Sequence, residues 1–177
     1  GIGPNNQFND LIKKRGINPK DIELVIVATA TPDMKAASTA AFTATQIGAT
    51  NAFSFDLEAA CSSFLFGMST AAKYVESGRY NNVLLIGADK NSSFINYEDR
   101  ATCIIFGDGA GAVLLEPNHE GMGIQDFILR SDGSGREYLV QPAGGSVNPA
   151  SIQTVENRMH FVKQEGKQVF KFAVTNM

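Results

Sequence analysis

The chain has 177 residues, of which 44% are hydrophobic and 19% charged, and its 15 Lys+Arg against 18 Asp+Glu give a formal net charge of −3. This composition excludes disorder as the main state and suits one domain with a buried core. The mildly acidic balance gives no electrostatic basis for a nucleic-acid partner. No apolar run approaches the roughly 20 residues of a membrane helix. The opening Gly1-Ile2-Gly3-Pro4 is not a signal peptide. Both features predict a cytoplasmic protein with no membrane partner.

The first expected element is a short helix from Phe8 to Arg15, with Lys13, Lys14 and Arg15 in its last turn and Gly16 as its stop. Asn18-Pro19-Lys20-Asp21 reads as a turn. Leu24 to Thr29 is a continuous, branched apolar run, as expected of a strand buried on both faces of a parallel sheet. Pro32-Asp33 opens a loop. Ser38 is an N-cap for a helix from Thr39 to Ile47 that Gly48 ends. The Ala and Thr content of that helix predicts that it is buried rather than exposed. Ala52 to Leu57 is a second strand. Glu58-Ala59-Ala60 then leads into a helix from about Cys61 to Val75, closed by Glu76-Ser77-Gly78.

Asn82 to Gly87 reads as a third strand and Thr102 to Phe106 as a fourth. Gly107-Asp108-Gly109 reads as a hairpin-type turn into a fifth strand over Ala110 to Leu115. Strands alternating with helices predict an α/β fold: a layered, mixed five-stranded sheet with helices on both faces. Residues 117–160, rich in Gly and Pro, read as a surface excursion. Met159 to Val162 is expected to be a short strand, Gly166 a turn, and Val169 to Met177 the start of a helix. The apolar pattern Phe170, Phe172, Val174 stops before three turns are complete, too few to bury its face. That predicts a chain belonging to something longer.

Gly107-Asp108-Gly109-Ala110-Gly111 has the alternate glycines of a dinucleotide-binding loop. That loop needs a helix after it, and the strand pattern Ala112-Val113-Leu114-Leu115 follows instead, so no nucleotide role is assigned. The two cysteines, Cys61 and Cys103, form no CxxC pair and no Cys/His cluster. A zinc site is not expected, and a disulfide framework is not needed at this size.

The ordinary reading of each thiol is a small buried apolar group. Cys61 departs from it, because a strand ends, small residues turn the chain, and Cys61 falls at the mouth of a helix. The free N–H groups and positive end of a helix stabilise a thiolate, the form that attacks a thioester carbon. Ala59, Ala60, Ser62 and Ser63 leave room for a substrate, and the Cys61 N–H is a candidate oxyanion donor. On placement alone, the reactive nucleophile and the inert thiol both stay open.

Leu57-Glu58-Ala59-Ala60-Cys61-Ser62-Ser63-Phe64 is followed in order by the run Ile104 to Leu115, by Arg130-Ser131-Asp132-Gly133 and by Val169 to Thr175. Together these motifs resemble the β-ketoacyl-acyl-carrier-protein synthase III family of the thiolase superfamily, over about Gly16 to Met177. The resemblance implies that 1–177 is a single N-terminal thiolase-like domain. The family's second half, with its catalytic His and Asn, would lie C-terminal to it, and the N-terminal strand of the first half has no counterpart here. The chain by itself is therefore expected to be incapable of condensation.

In the whole protein, Cys61 would accept an acyl group from acyl-CoA. Malonyl-acyl carrier protein would then lose CO2 and attack the acyl-Cys61 carbonyl, the first elongation step of fatty acid synthesis. The resemblance further implies that Arg100 packs on the CoA adenine, which suits a guanidinium. It implies that Gly166 and Phe170 line the pantetheine tunnel, that Lys171 lies near the carrier-protein dock, and that the substrates act without a cofactor. A homodimer paired through the sheet edge after the second strand is implied too, with 39–47 and 82–87 near the interface. His119 and His160 match neither catalytic position and are expected at the surface.

Many members carry a bulky aromatic where this sequence has Ala36, so the acyl pocket is expected to accept primers larger than acetyl. The alternative enzymes are a polyketide-type starter synthase and a hydroxymethylglutaryl-CoA synthase. A non-catalytic interaction fragment, with Cys61 only structural, is the alternative outside enzymes.

Overall fold

The structure, a computed structural model, describes residues 6–176. It comprises two compact units, Gly1–Lys90 with Gly109–Leu129, and Asn91–Asp108 with Arg130–Met177.

The first unit runs α1 (Asn6–Arg15), β1 (Leu24–Ala28), α2 (Thr39–Ile47), β2 (Phe53–Leu57), α3 (Ser63–Glu76), β3 (Val83–Lys90) and β4 (Asp108–Leu115). The sheet order is β2-β1-β3-β4. β1 pairs in parallel with both neighbours, placing Ile26 opposite Phe55 on one side and Leu85 on the other. All five residues of β1 are buried, and the two faces explain why.

Val25 and Val27 pack with Ala40, Ala44 and Ile47 of α2 and with Leu84 and Ile86. Leu24, Ile26 and Ala28 pack with Ala71 of α3 and with Val83 and Leu85. A strand covered by helices on both sides has no polar face, so the uninterrupted apolar run is its signature. The expected α/β layering, with helices on both faces, is present.

Local capping sets the helix bounds. Gly16 and Gly48 take left-handed φ values of 72° and 81°, and end α1 and α2 as expected. The Ser38 hydroxyl accepts from the Ala41 N–H at 3.1 Å. Asp56 of β2 adds a second anchor. Its carboxylate accepts from the Thr39 N–H at 2.8 Å, the Ala40 N–H at 2.7 Å and the Ser38 hydroxyl at 3.2 Å. It thereby satisfies N–H groups that the first helical turn leaves without partners. Asp56→Ala is expected to lower stability by about 1–2 kcal/mol, read from the urea midpoint; an unchanged midpoint would show that water serves these groups equally well.

Several expectations are corrected here. α2 buries only one face, through Thr39, Ala40, Thr43, Ala44 and Ile47, while Phe42 on the other side is 51% exposed. A helix laid on a sheet is covered on one side, whatever the size of its side chains. Thr102–Phe106 is not a strand, and the chain makes successive turns there. The Asp99 carboxylate accepts from the Ala101 N–H and the Thr102 hydroxyl, and the Asp99 carbonyl accepts from the Thr102 and Cys103 N–H groups. Such local bonds give the backbone an alternative to a ladder. The main sheet therefore has four strands rather than five.

Gly107-Asp108-Gly109 is likewise no hairpin, because β4 already begins at Asp108. Finally, β3 lies inside the sheet between β1 and β4, and β2 is the edge strand.

The second unit contains β5 (Leu139–Val140), α4 (Ile152–Glu156), β6 (Lys163–Gln164) and α5 (Gly166–Asn176). β5 and β6 pair antiparallel. Most of 117–160 is irregular, as expected. The short strand expected over Met159–Val162 sits slightly later, at Lys163–Gln164. The Met159 N–H is engaged by the Thr154 carbonyl, and Arg158 has a φ of 55°, so the chain is still turning out of α4 at that point. Gly166 is the first residue of α5, not a separate turn. Among the described residues, no helix is long and apolar enough to cross a membrane.

Candidate active site

β2 ends at Leu57, and the chain reverses into α3 within five residues. Ala59 has φ −147° and ψ 40°, and Ala60 has a φ of +48°. The latter is a left-handed conformation that costs a residue with a Cβ on the order of 1 kcal/mol. Ala60–Ser62 form one 3-10 turn, closed by the Ser62 N–H on the Ala59 carbonyl at 3.1 Å. Cys61 is the middle residue of that turn and is exposed. It thus stands just before α3, which begins at Ser63 rather than at Cys61.

Beneath it, Ser63 is 3% exposed. The Ser63 hydroxyl accepts from the Ala59 N–H at 2.6 Å and donates to the Ala60 carbonyl at 2.6 Å. α3 itself lies close on the sheet. A Cβ at Gly67 would come within 2.6 Å of the Leu85 side chain, and one at Gly87 within 2.8 Å of the Phe64 ring. Glycine at these two positions lets the helix carrying the turn seat firmly.

A groove of about 450 Å³ lies between the loop after β1 and the edge strand β2, with Thr29, Met34, Ala36, Phe55 and Glu58 among its walls. Ala36 has a φ of 70°. The loop is tied at its start by Asp89, whose carboxylate accepts from the Ala30 N–H at 2.8 Å and from the Thr29 and Thr31 hydroxyls. Asp56 ties its end at Ser38. Sequence reasoning missed Ser63, Asp56 and Asp89. The available signal was a polar side chain placed where a strand gives way to a loop, or where a helix starts.

In the second unit, Arg100 is exposed on the turn before Thr102. That turn is braced by Arg158, which donates to Asn96 at 2.8 Å and pairs with Glu98 at 2.9 Å. Gly166, Phe170 and Lys171 share α5, and Phe170 is 71% exposed. Lys171 is exposed as well. Cys61 therefore belongs to the first unit, and the other four expected site residues to the second.

His119 is exposed, as expected, but His160 is half-buried, with Nε2 3.0 Å from the Thr154 hydroxyl. The imidazole is held by this contact, so the surface assignment does not stand for His160. Hydrogen bonds from Ser134 hold the Asp132 carboxyl below the usual carboxylate range, so they favour the structure above that range, and the contribution is lost as the pH falls from there through the lowered value. Among the described residues, no group of three or more His, Cys, Asp and Glu is arranged to hold a metal.

The sequence pattern of 3-oxoacyl-[acyl-carrier-protein] synthase III matches residues 55–133, the stretch that contains the Cys61 turn. β-Ketoacyl-[acyl-carrier-protein] synthase III 2 of Bacteroides thetaiotaomicron is 56% identical over 167 residues, covering 94% of this chain and 50% of the relative. A crystal structure of a 3-oxoacyl-(acyl-carrier-protein) synthase III superposes with a TM-score of 0.90 at 25% identity, over 97% of this chain and 54% of that one. The priming β-ketosynthase of the R1128 polyketide pathway superposes with a TM-score of 0.81 at 33% identity, over 93% and 48%. The chain spans about half the length of the curated relatives it matches.

The mixed sheet layered between helices, as expected from the sequence, is the thiolase-like fold of these structures. Within that class the chain is similar to the β-ketoacyl-acyl-carrier-protein synthase III enzymes, by the pattern over residues 55–133 and by the relative 56% identical to it.

Proposed function

We propose that the whole protein carrying this chain is a β-ketoacyl-acyl-carrier-protein synthase III, with Cys61 as its acyl acceptor. One observation carries the reading: Cys61 is exposed on a tight turn between β2 and α3, inside the residues that match the family. The Cys61 sulfur attacks the thioester carbonyl of acyl-CoA. A C–S bond forms to Sγ, the bond to the CoA sulfur breaks, and CoA leaves as a thiol with the proton that Cys61 gave up. Malonyl-acyl carrier protein then loses CO2, and its carbanion displaces Cys61 from the acyl carbonyl.

Arg100 is assigned to the CoA adenine, Gly166 and Phe170 to the pantetheine arm, and Lys171 to the carrier protein. The exposure of Arg100, Phe170 and Lys171 supports these roles. The His and Asn of the decarboxylation step are assigned to the half of the relatives that this chain does not cover, so the chain alone is not expected to condense. A homodimer acting in the cytoplasm, without cofactor, nucleic acid or membrane, completes the proposal.

The second reading is a priming ketosynthase of polyketide type, favoured by the likeness to the R1128 enzyme. It shares the acylation of Cys61 and differs in primer. The small side chain of Ala36 beside the groove supports primers bulkier than acetyl. Intact mass spectrometry of the full-length protein after incubation with a panel of acyl-CoAs tests both points. The expected result is a gain of one acyl group, with branched or longer acyl-CoAs taken up at least as fast as acetyl-CoA. Strong preference for acetyl-CoA would refute the Ala36 assignment, and no acylation with any donor would refute the function.

A further inference from the structure

We propose that Ser63 is a positioning residue for acyl transfer: its buried hydroxyl fixes the Ala60–Cys61 peptide so that the Cys61 N–H is held ready for the oxyanion that forms on the acyl carbonyl. The proposal rests on the reading of Cys61 as the acyl acceptor. The Ala60 carbonyl accepts two hydrogen bonds from one residue, from the Ser63 hydroxyl at 2.6 Å and from the Ser63 backbone N–H. The same hydroxyl accepts from the Ala59 N–H at 2.6 Å, so one side chain holds the Glu58–Ala59 and Ala60–Cys61 peptide units that flank the Ala59–Ala60 pair.

A trans peptide unit is planar, and its C=O and N–H point in opposite directions. Clamping the Ala60 oxygen onto Ser63 therefore aims the Cys61 N–H away from Ser63. The clamp also offsets the cost of the left-handed Ala60, whose φ of +48° a residue with a Cβ adopts only when its surroundings enforce it. At 3% exposure, Ser63 does not reach a substrate itself; it acts through the turn.

Two reactions of the same sulfur separate this role from mere support of the fold. Acyl transfer puts negative charge on the carbonyl oxygen and needs an aligned donor. Alkylation by iodoacetamide forms one S–CH2 bond, expels iodide and develops no oxyanion. Both rates are measured on the full-length protein as wild type, Ser63→Ala and Ser63→Thr, using the acyl-CoA that the wild type takes up fastest.

Ser63→Ala is expected to slow acylation by at least about tenfold, a fraction of the loss that follows removal of an oxyanion donor outright. Its alkylation is expected to stay at the wild-type rate, and its urea midpoint close to that of the wild type. Ser63→Thr keeps the hydroxyl and is expected to restore acylation. If both rates fall together in Ser63→Ala, or acylation is unchanged, Ser63 does not position the donor. A wild type that accepts no acyl group refutes the Cys61 reading instead, so the two failures are distinguishable.

Discussion

Alanine at Cys61 is expected to abolish acyl uptake by the full-length protein, lowering its rate by at least about 10³-fold, as losses of a catalytic nucleophile do. The attacking atom is removed and no neighbour takes its place. Ser62 and Ser63 stand on the same turn, but a hydroxyl without an adjacent base is a weak nucleophile, and Ser63 is buried with its proton engaged by the Ala60 carbonyl. The other cysteine, Cys103, is half-buried on the turns after Asp99 in the second unit. Acyl-CoA binding should persist, because no group assigned to CoA is altered. Loss of acylation with retained binding would separate the nucleophile from the binding machinery, whereas acylation of Cys61→Ala near the wild-type rate would show that another group reacts.

Ile26→Ala is expected to cost about 3–4 kcal/mol of stability, read from urea unfolding. Ile26 has no exposed surface and sits mid-strand in β1, opposite both Phe55 and Leu85. It packs in the cluster that joins the sheet to Ala71 of α3. Truncation removes methyl and methylene groups from a site that rigid parallel strands prevent from collapsing, so a cavity persists. Since whole domains are stable by only about 5–15 kcal/mol, this loss is a large share. A cost below about 1 kcal/mol would mean that β1 is not the close-packed centre of the layers.

Much of this architecture was readable before any coordinates. The branched run from Leu24 could only satisfy a strand covered on both faces, and two helices cover it. Ser38 and Gly48 bounded α2 to the residue, because a side-chain acceptor and a left-handed glycine act locally. Thr102–Phe106 misled for the converse reason: its branched side chains suit a strand, but Asp99, three residues earlier, captures the backbone in turns. Gly107-Asp108-Gly109 suggested a turn, yet Asp108, Gly109 and Gly111 lie in the extended chain of β4.

The site was legible in part. Small residues between a strand and a helix singled out Cys61 on physical grounds. The assignments of Arg100, Gly166, Phe170 and Lys171 came only from family resemblance, since each residue is unremarkable in its own neighbourhood. Ser63 was marked only as a polar residue at a helix start, and its task was not legible, because that task exists only once Ala60 has adopted a left-handed conformation.

The most direct test is to locate the acyl group. The full-length protein is incubated with an acyl-CoA, digested, and its peptides weighed before and after hydroxylamine. The account predicts one acyl group on the peptide containing Cys61, held as a hydroxylamine-labile thioester. An acyl group on any other residue, with Cys61 recovered as a free thiol, would contradict it.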